Sequence, residues 1–466
     1  MTNVTMIKRV LLFKTITVPF SSGSRRCSTR VSTGELKAAV TESAQPSPLS
    51  GEASLYVHWP YCLRRCSYCN FNKYIPKADN SSIMADCLQR ETETLLRLSQ
   101  VSSITSVFFG GGTPSLAHPS TIEKVLESIS SHASLADSAE VTIEVNPTPV
   151  GMSRLEEFHR AGVNRFSIGV QSLQDKDLKL LGRDHNSQHA LRTLAEARRL
   201  CPGRVSVDVM FGRPGQTLDS WERELSELLR VCDDHVSLYQ LTVERGTALF
   251  KQVEQGQLAL PAEEVMAAMY HSARTLLLQH GFQQYEVSNF ARREFIQLNC
   301  GLQRGLFLRL IENAVSHHNM NYWKGGQYIG VGPGAHGRFA PLGEGRAVRE
   351  ARVQTLEPDF WIQEVQHRGH ATRRRIPLPS PLGLLEEVLA MGLRLTEGIA
   401  HQHWHIFCPE ADLQTVFGTY PDVQNLLLSG HLILDDRGLR CSWDGLALLD
   451  GMLPTLLLAL EGHMSP

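Results

Sequence analysis

The 466-residue sequence has almost no excess charge of either sign, with 46 Lys and Arg against 48 Asp and Glu. It therefore has no broad basic field, and nucleic acid is not an electrostatically favoured partner. Long hydrophobic runs are missing as well. The best candidate, "TLLLAL" near the C-terminus, is far short of the roughly 20 residues a membrane-spanning helix needs. No membrane span is expected, which leaves only peripheral contact with a bilayer. There is no disulfide framework: Cys27, Cys87, Cys201, Cys232, Cys300, Cys408 and Cys441 are scattered, which fits a reducing compartment. Acidic residues are absent before Glu35, whereas Lys8, Arg9, Lys14, Arg25, Arg26 and Arg30 precede it among many Ser and Thr. That is the composition of a mitochondrial transit peptide, and Lys14 breaks the apolar core a secretory signal requires. Residues 1–50 are read as a transit-like segment outside the core, and the mitochondrion as the expected location.

What is present from Ser54 onward is a regular alternation. Six β-rich runs cover Ser54–Trp59, Ser106–Gly111, Val141–Asn146, Arg165–Gln171, Arg204–Gly212 and His235–Glu244. Stretches of helical period lie between them, such as "SSIMADCLQRETETLLRL", and "PAEEVMAAMYHSARTLLLQHG" follows the last. Repeated βα units predict an α/β protein with a parallel sheet and outer helices. Six units rather than eight predict a partial (β/α)6 barrel over residues 51–290, with its ligand site at the C-terminal ends of the strands. A smaller, mainly helical region is expected over 317–466, with a hairpin around Asp435–Gly438.

The stretch "YCLRRCSYC" follows the first strand and holds Cys62, Cys66 and Cys69. Three thiolates in one tight loop suit an iron–sulfur cluster and leave one iron with an open position. The rival readings are a zinc site lacking its fourth ligand and three incidental thiols. After the second strand, "GGGTP" (Gly110–Pro114) offers backbone without Cβ atoms, so a ligand could approach the main chain closely.

The C-x3-C-x2-C spacing, with the aromatic Tyr68 inside it, resembles the signature of the radical S-adenosylmethionine superfamily. With "YVHWPYCLRRCSYCNF", "FFGGGTPS", "EVNP", "RFSIGVQSLQDKDLKLLGRDH", "VDVMFGRPGQT", "YQLTVERGT" and "YEVSNFAR", the chain resembles the branch of oxygen-independent coproporphyrinogen oxidases and HemW-like proteins. The resemblance runs from about Leu55 to Phe290 and resumes at His318. It implies a [4Fe-4S] cluster on Cys62, Cys66 and Cys69, with S-adenosyl-L-methionine chelating the open iron. It further implies that Tyr56, Tyr68, Gly111, Gly112, Thr113, Glu144, Gln171, Arg183 and Asp208 serve cofactor binding.

Within that branch the oxidases carry a further cysteine where this chain has Phe71, and they use an N-terminal segment that is here spent on the leader. Conversely, "HNMNYW" matches the HNxxYW motif of HemW-like haem chaperones. The resemblance implies haem binding centred on His318, flanked by Tyr322 and Trp323 on a loop or short strand at the barrel mouth. His317 is its neighbouring rival, and "HQHWH" (His401, His403, His405) reads as a surface segment. The function expected is haem delivery to acceptor proteins in mitochondria, without coproporphyrinogen oxidase activity. The alternative is a radical enzyme such as oxygen-independent coproporphyrinogen III dehydrogenase. About two dozen residues, Arg293–Ser316, intervene where the family has only a few, so 291–316 reads as an insertion that threatens to displace the haem segment.

Overall fold

The computed structural model describes residues 51–76, 78–300, 303–310, 314–343, 349–377 and 381–464. The transit-like leader lies outside the described residues. Six strands form where the β-rich runs stand: β1 Gly51–Trp59, β2 Val101–Gly111, β3 Ser134–Val145, β4 Arg165–Gln171, β5 Val205–Phe211 and β6 His235–Gln240. Each pairs in parallel with the next. Parallel neighbours cannot be joined by a tight hairpin, so helices such as Ser81–Arg97 and Leu218–Leu229 make the crossovers. The second of these starts from a capping box between Thr217 and Ser220. All seven residues of β5 are buried, as expected of a strand covered on both faces.

The sheet does not close into a full barrel. Past β6 come β7 Phe282–Glu286 and β8 Asn289–Cys300, with β8 antiparallel to β6. The far end of β8 pairs with β9 Gln303–Leu310. Much of the stretch expected to be an insertion is thus a β-hairpin excursion, and Ala314–Ser316 return to the core.

On the other side, β10 Gln327–Val331 lies parallel to β1, and β11 His336–Phe339, β12 Glu350–Gln354 and β13 Thr372–Pro377 follow in antiparallel order. The mainly helical region expected from 317 therefore contributes four strands to the main sheet before its helices dominate. The apolar strand "QYIGV" is buried throughout and takes up the β1 edge, whose backbone groups would otherwise lack partners.

The separate smaller core begins at Leu385 and continues to Leu460. It combines helices such as Pro381–Gly392 and Leu449–Met464 with a small sheet of β14 Ile399–Ala400, β15 Leu432–Asp435 and β16 Gly438–Cys441. The last two form the hairpin expected at Asp435–Gly438. This unit docks on the barrel through the Arg394–Glu286 ion pair and the Arg274 guanidinium, which donates to the Trp443 carbonyl at 2.6 Å. Among the described residues no helix is long and apolar enough to cross a membrane.

Candidate functional site

At the C-terminal ends of the parallel strands lies an open cavity of about 620 Å³. Cys62, Cys66 and Cys69 line it together with Tyr68, Gly111, Gly112, Thr113, Glu144, Gln171, Arg183 and Asp208. The fold thus brings together residues spread over nearly 150 positions. The cysteine loop doubles back on itself, the Cys62 amide donating to the Tyr74 carbonyl (3.0 Å) and the Tyr74 amide to the Pro60 carbonyl (2.8 Å). Ser67 pins it to the barrel: its amide and hydroxyl donate to the Leu181 and Leu180 carbonyls at 3.0 and 2.9 Å. Tyr68 packs its ring among Leu181, Met210, Leu241 and Leu249, and burial raises its phenol pKa.

A hydrogen-bonded chain joins two of the thiols across the cavity floor. The Thr113 hydroxyl donates to Cys62 Sγ (3.3 Å), Asn146 Nδ2 donates to Thr113 Oγ1 (3.3 Å), and Arg183 donates to Asn146 Oδ1 (2.8 Å) and Cys66 Sγ (3.6 Å). The Thr113 hydrogen bond favours the Cys62 thiolate. Burial opposes this at Cys62, pushing the thiol up to about 11, so a bound cation must displace its proton. Among the described residues no three His, Cys, Asp or Glu side chains converge tightly enough to chelate a single ion.

The neighbouring wall is shaped for close approach. Gly111 has φ of 112°, and a Cβ there would lie 2.6 Å from the His58 ring; one on Gly112 would lie 2.7 Å from the Tyr61 carbonyl oxygen. The Gly111 amide donates to Glu144 Oε2 at 3.1 Å. Gln171 is the one non-glycine residue with positive φ (65°) among those described, and its buried Oε1 has no hydrogen-bond partner. Backbone strain and an orphaned buried acceptor on one residue mark a position held for a ligand. Burial pushes the Glu144 carboxyl up to about 7, with Asp208 adding in the same direction, and Ser167 donates to Asp208 Oδ2 at 3.1 Å.

Tyr56 departs from this set. It does not line the cavity but stands below it, stacked on Phe108 at 6.2 Å with its hydroxyl 3.2 Å from His58 Nδ1. Asn146, part of the "EVNP" motif but not among the residues expected to serve cofactor binding, joins the site. Strand alternation could have found it, since it lies two positions after Glu144, with Pro147 following.

The expectation that His318, Tyr322 and Trp323 sit on a loop at the barrel mouth is corrected. His317–Trp323 is a helix capped by Ser316, and the glycines that argued against a helix, Gly325 and Gly326, come after its end. Its first residues lie at the opposite, N-terminal end of the strands. There Glu140 accepts from the His317 and His318 amides (both 3.1 Å), and Arg165, 3.6 Å from Glu140, donates to the Ala314 carbonyl at 2.8 Å. The His318 ring stacks on Phe108 at 5.0 Å, with Nδ1 3.0 Å from Ser106 Oγ and Nε2 2.9 Å from the Tyr322 hydroxyl. It is 1% exposed, and Trp323 is equally buried. In this conformation the imidazole presents no free nitrogen to an iron. The excursion 291–316 has not displaced the segment from the barrel.

A parallel partial barrel bearing three thiols in one loop beside a glycine-lined cradle is the architecture of a radical SAM domain. The family model "Radical SAM superfamily" matches residues 56–228, and "HemN C-terminal domain" matches 380–448. "Radical S-adenosyl methionine domain-containing protein 1, mitochondrial" of Danio rerio is 65% identical over 410 residues, 88% of either chain. "Heme chaperone HemW" of Bacillus subtilis is 30% identical over 82% of this chain and 92% of its own. The solved structure of coproporphyrinogen III oxidase (HemN) from Escherichia coli shares the fold with a TM-score of 0.69, at 18% identity, over 90% of this chain and 92% of that one. The chain belongs to the radical SAM superfamily, alongside the domain-containing protein 1 and HemW sequences.

Proposed function

We propose that the protein is a mitochondrial haem chaperone that holds a [4Fe-4S] cluster and S-adenosyl-L-methionine and passes haem to acceptor proteins. The name of the Bacillus relative supports the haem assignment, and the names of the vertebrate relatives support the location. The observation that carries the reading is the cavity itself. One side has the thiol loop and cradle, while the other is walled by helix Glu263–Gln279 and by Arg394, Leu448 and Asp450 of the C-terminal unit.

Cys62, Cys66 and Cys69 would hold the cluster, and Gly111, Gly112, Thr113, Glu144, Gln171, Arg183 and Asp208 the nucleoside and amino-acid groups of S-adenosyl-L-methionine. When bound there, such a cluster would supply one-electron reducing chemistry to the S-adenosyl-L-methionine beside it. The residues around it orient that pair. Thr113 and Arg183 direct positive hydrogen-bond ends at two sulfurs, and Glu144 accepts the Gly111 amide so that the cradle holds its shape.

The test is anaerobic reconstitution of the full chain with iron and sulfide, then haem titration and assays for coproporphyrinogen III conversion and 5′-deoxyadenosine release. Haem binding without porphyrinogen conversion supports the chaperone. Protoporphyrinogen formation would restore the radical-enzyme reading, despite Phe71 lining the cavity where the oxidases carry a further cysteine. Import into isolated mitochondria, with N-terminal sequencing of the product, tests removal of the basic leader.

A further inference from the structure

We propose that Asn146 is a positioning residue for the cluster: it sets the direction of the hydrogen bonds that run from Thr113 to Cys62 Sγ and from Arg183 to Cys66 Sγ. This rests on the cluster reading above. The Asn146 amide stands between the two donors, with Nδ2 3.3 Å from Thr113 Oγ1 and Oδ1 2.8 Å from an Arg183 guanidinium nitrogen. A guanidinium has only protons to offer, so the atom facing it must be the amide oxygen. Nδ2 therefore faces Thr113, whose oxygen accepts. The one hydroxyl proton is then left for Cys62 Sγ, 3.3 Å away. A sulfur bound to iron as thiolate can only accept, so this direction is the one that suits a loaded site. Reversing the amide would set its NH2 group against Arg183 and turn the Thr113 proton away from the sulfur.

The same amide oxygen holds the second arm. Together with the Gly169 carbonyl at 3.0 Å, Asn146 Oδ1 fixes one end of the Arg183 fork, and the other end then reaches Cys66 Sγ at 3.6 Å. Gly169 leaves room for this: a Cβ there would stand 3.3 Å from the held guanidinium nitrogen and 3.7 Å from Asn146 Oδ1. The backbone of Asn146 is itself fixed. Pro147 biases it toward extended conformations, and its carbonyl accepts the Thr148 amide at 2.7 Å. Helix Pro149–Ser153 passes so close that a Cβ on Gly151 would lie 2.3 Å from that carbonyl oxygen. One side chain just past the end of β3 thus aims two donors at two of the three sulfurs. Hydrogen bonds to a cluster's sulfurs draw off negative charge, favour the form that carries the extra electron and raise the potential.

The experiment is a dye-mediated redox titration of the reconstituted full chain without S-adenosyl-L-methionine. It is followed by electron paramagnetic resonance and, in the oxidised form, by the iron–sulfur stretches in resonance Raman spectra. Asn146→Asp keeps the shape but can only accept, so it captures the Thr113 proton and adds a negative charge. It is expected to lower the reduced-to-oxidised ratio at the parent's midpoint by about tenfold, which is about 59 mV for one electron. Thr113→Val, which removes the donor outright, should shift the potential the same way, and both should move the stretches to higher wavenumber. In a Thr113→Val background Asn146→Asp should shift the potential by clearly less, because only its charge then acts. Asn146→Ala, which adds no charge, should lower the ratio by about threefold. If the Asn146→Asp and Thr113→Val shifts simply add, or if either Asn146 variant titrates like the parent, Asn146 does not direct the bonds. The proposal is then overturned, while the cluster reading stands. Should Asn146→Asp assemble no cluster, Asn146→Ala decides by the same measure. If the parent itself assembles no cluster, the cluster reading fails and this proposal with it.

Discussion

The His318 imidazole is held between Ser106 and Tyr322, 3.0 Å from one hydroxyl and 2.9 Å from the other, at the end of the barrel away from the cysteines. Burial lowers its pKa to about 3, so it folds as the neutral ring. The unfolded chain gains a proton near the ordinary value of 6.5, while the folded chain does not. The stabilisation is therefore complete above 6.5 and lost as pH falls toward 3, at about 1.4 kcal/mol per unit at most. His235 and His185 are shifted in the same direction by burial, so the parent's slope is a sum. Urea midpoints at pH 7.5 and 5.5 should differ less in His318→Gln than in the parent.

Glu140 is the hub of that closed end, accepting two helix amides beside the buried Arg165. Glu140→Ala leaves a buried guanidinium without its carboxylate and two amides without an acceptor, and should cost about 3–5 kcal/mol. Equilibrium unfolding measures it. A loss below about 1 kcal/mol would show that the closed end contributes little.

Glu91 gives the opposite pH sign. Its buried carboxylate accepts from the Gly332 and Ala371 amides (both 2.8 Å) and from Trp361 Nε1 (3.0 Å), yet burial raises its pKa to about 7. The folded state then keeps its proton after the unfolded state has lost one near 4.5. That contribution is complete below 4.5 and lost as pH rises through about 7, roughly 3 kcal/mol across the window. Glu91→Gln should flatten this part of the stability profile, read by the same urea series.

Cys62→Ala, Cys66→Ala and Cys69→Ala should each abolish the oxygen-sensitive cluster absorbance after reconstitution, whereas Cys87→Ala and Cys201→Ala should retain it. The latter two thiols are buried and do not line the cavity. Equal loss on removing Cys87 or Cys201 would sink the ligand assignment. Iron content per chain gives an independent reading.

The two cradle glycines should fail differently. Gly112→Ala drives a Cβ into the Tyr61 carbonyl, backbone that leads directly into Cys62, so cluster yield and S-adenosyl-L-methionine affinity should both fall. Gly111→Ala meets the His58 ring and a left-handed φ, which costs about 1–2 kcal/mol locally, and should lower affinity while leaving more of the cluster. Calorimetric titration with S-adenosyl-L-methionine beside iron analysis separates them.

The strands and the cysteine loop were legible because their signals are local. Alternating runs from Ser54 to Glu244 mark six strands whatever the partners, and three cysteines in eight residues share one loop whatever the fold. Strand alternation also contained Asn146, on the same face as Glu144, although it was not picked out. The role of β10 to β13 was not legible. "QYIGV" becomes a sheet strand because β1 has an edge to fill, and that edge is a property of the assembled barrel.

The placement of His318 and Asn146 separates what sequence and tertiary structure each decide. The order of residues alone determined the βα repeat, the thiol loop and the glycine cradle, because each depends on neighbours in the chain. Only the tertiary structure decided that His318 is sealed against Ser106 and Glu140, and that Asn146 stands between Thr113 and Arg183. Burial and hydrogen-bond satisfaction depend on residues 178 to 212 positions away in the first case, and on residues 33 and 37 positions away in the second. No local pattern in the chain carries that information.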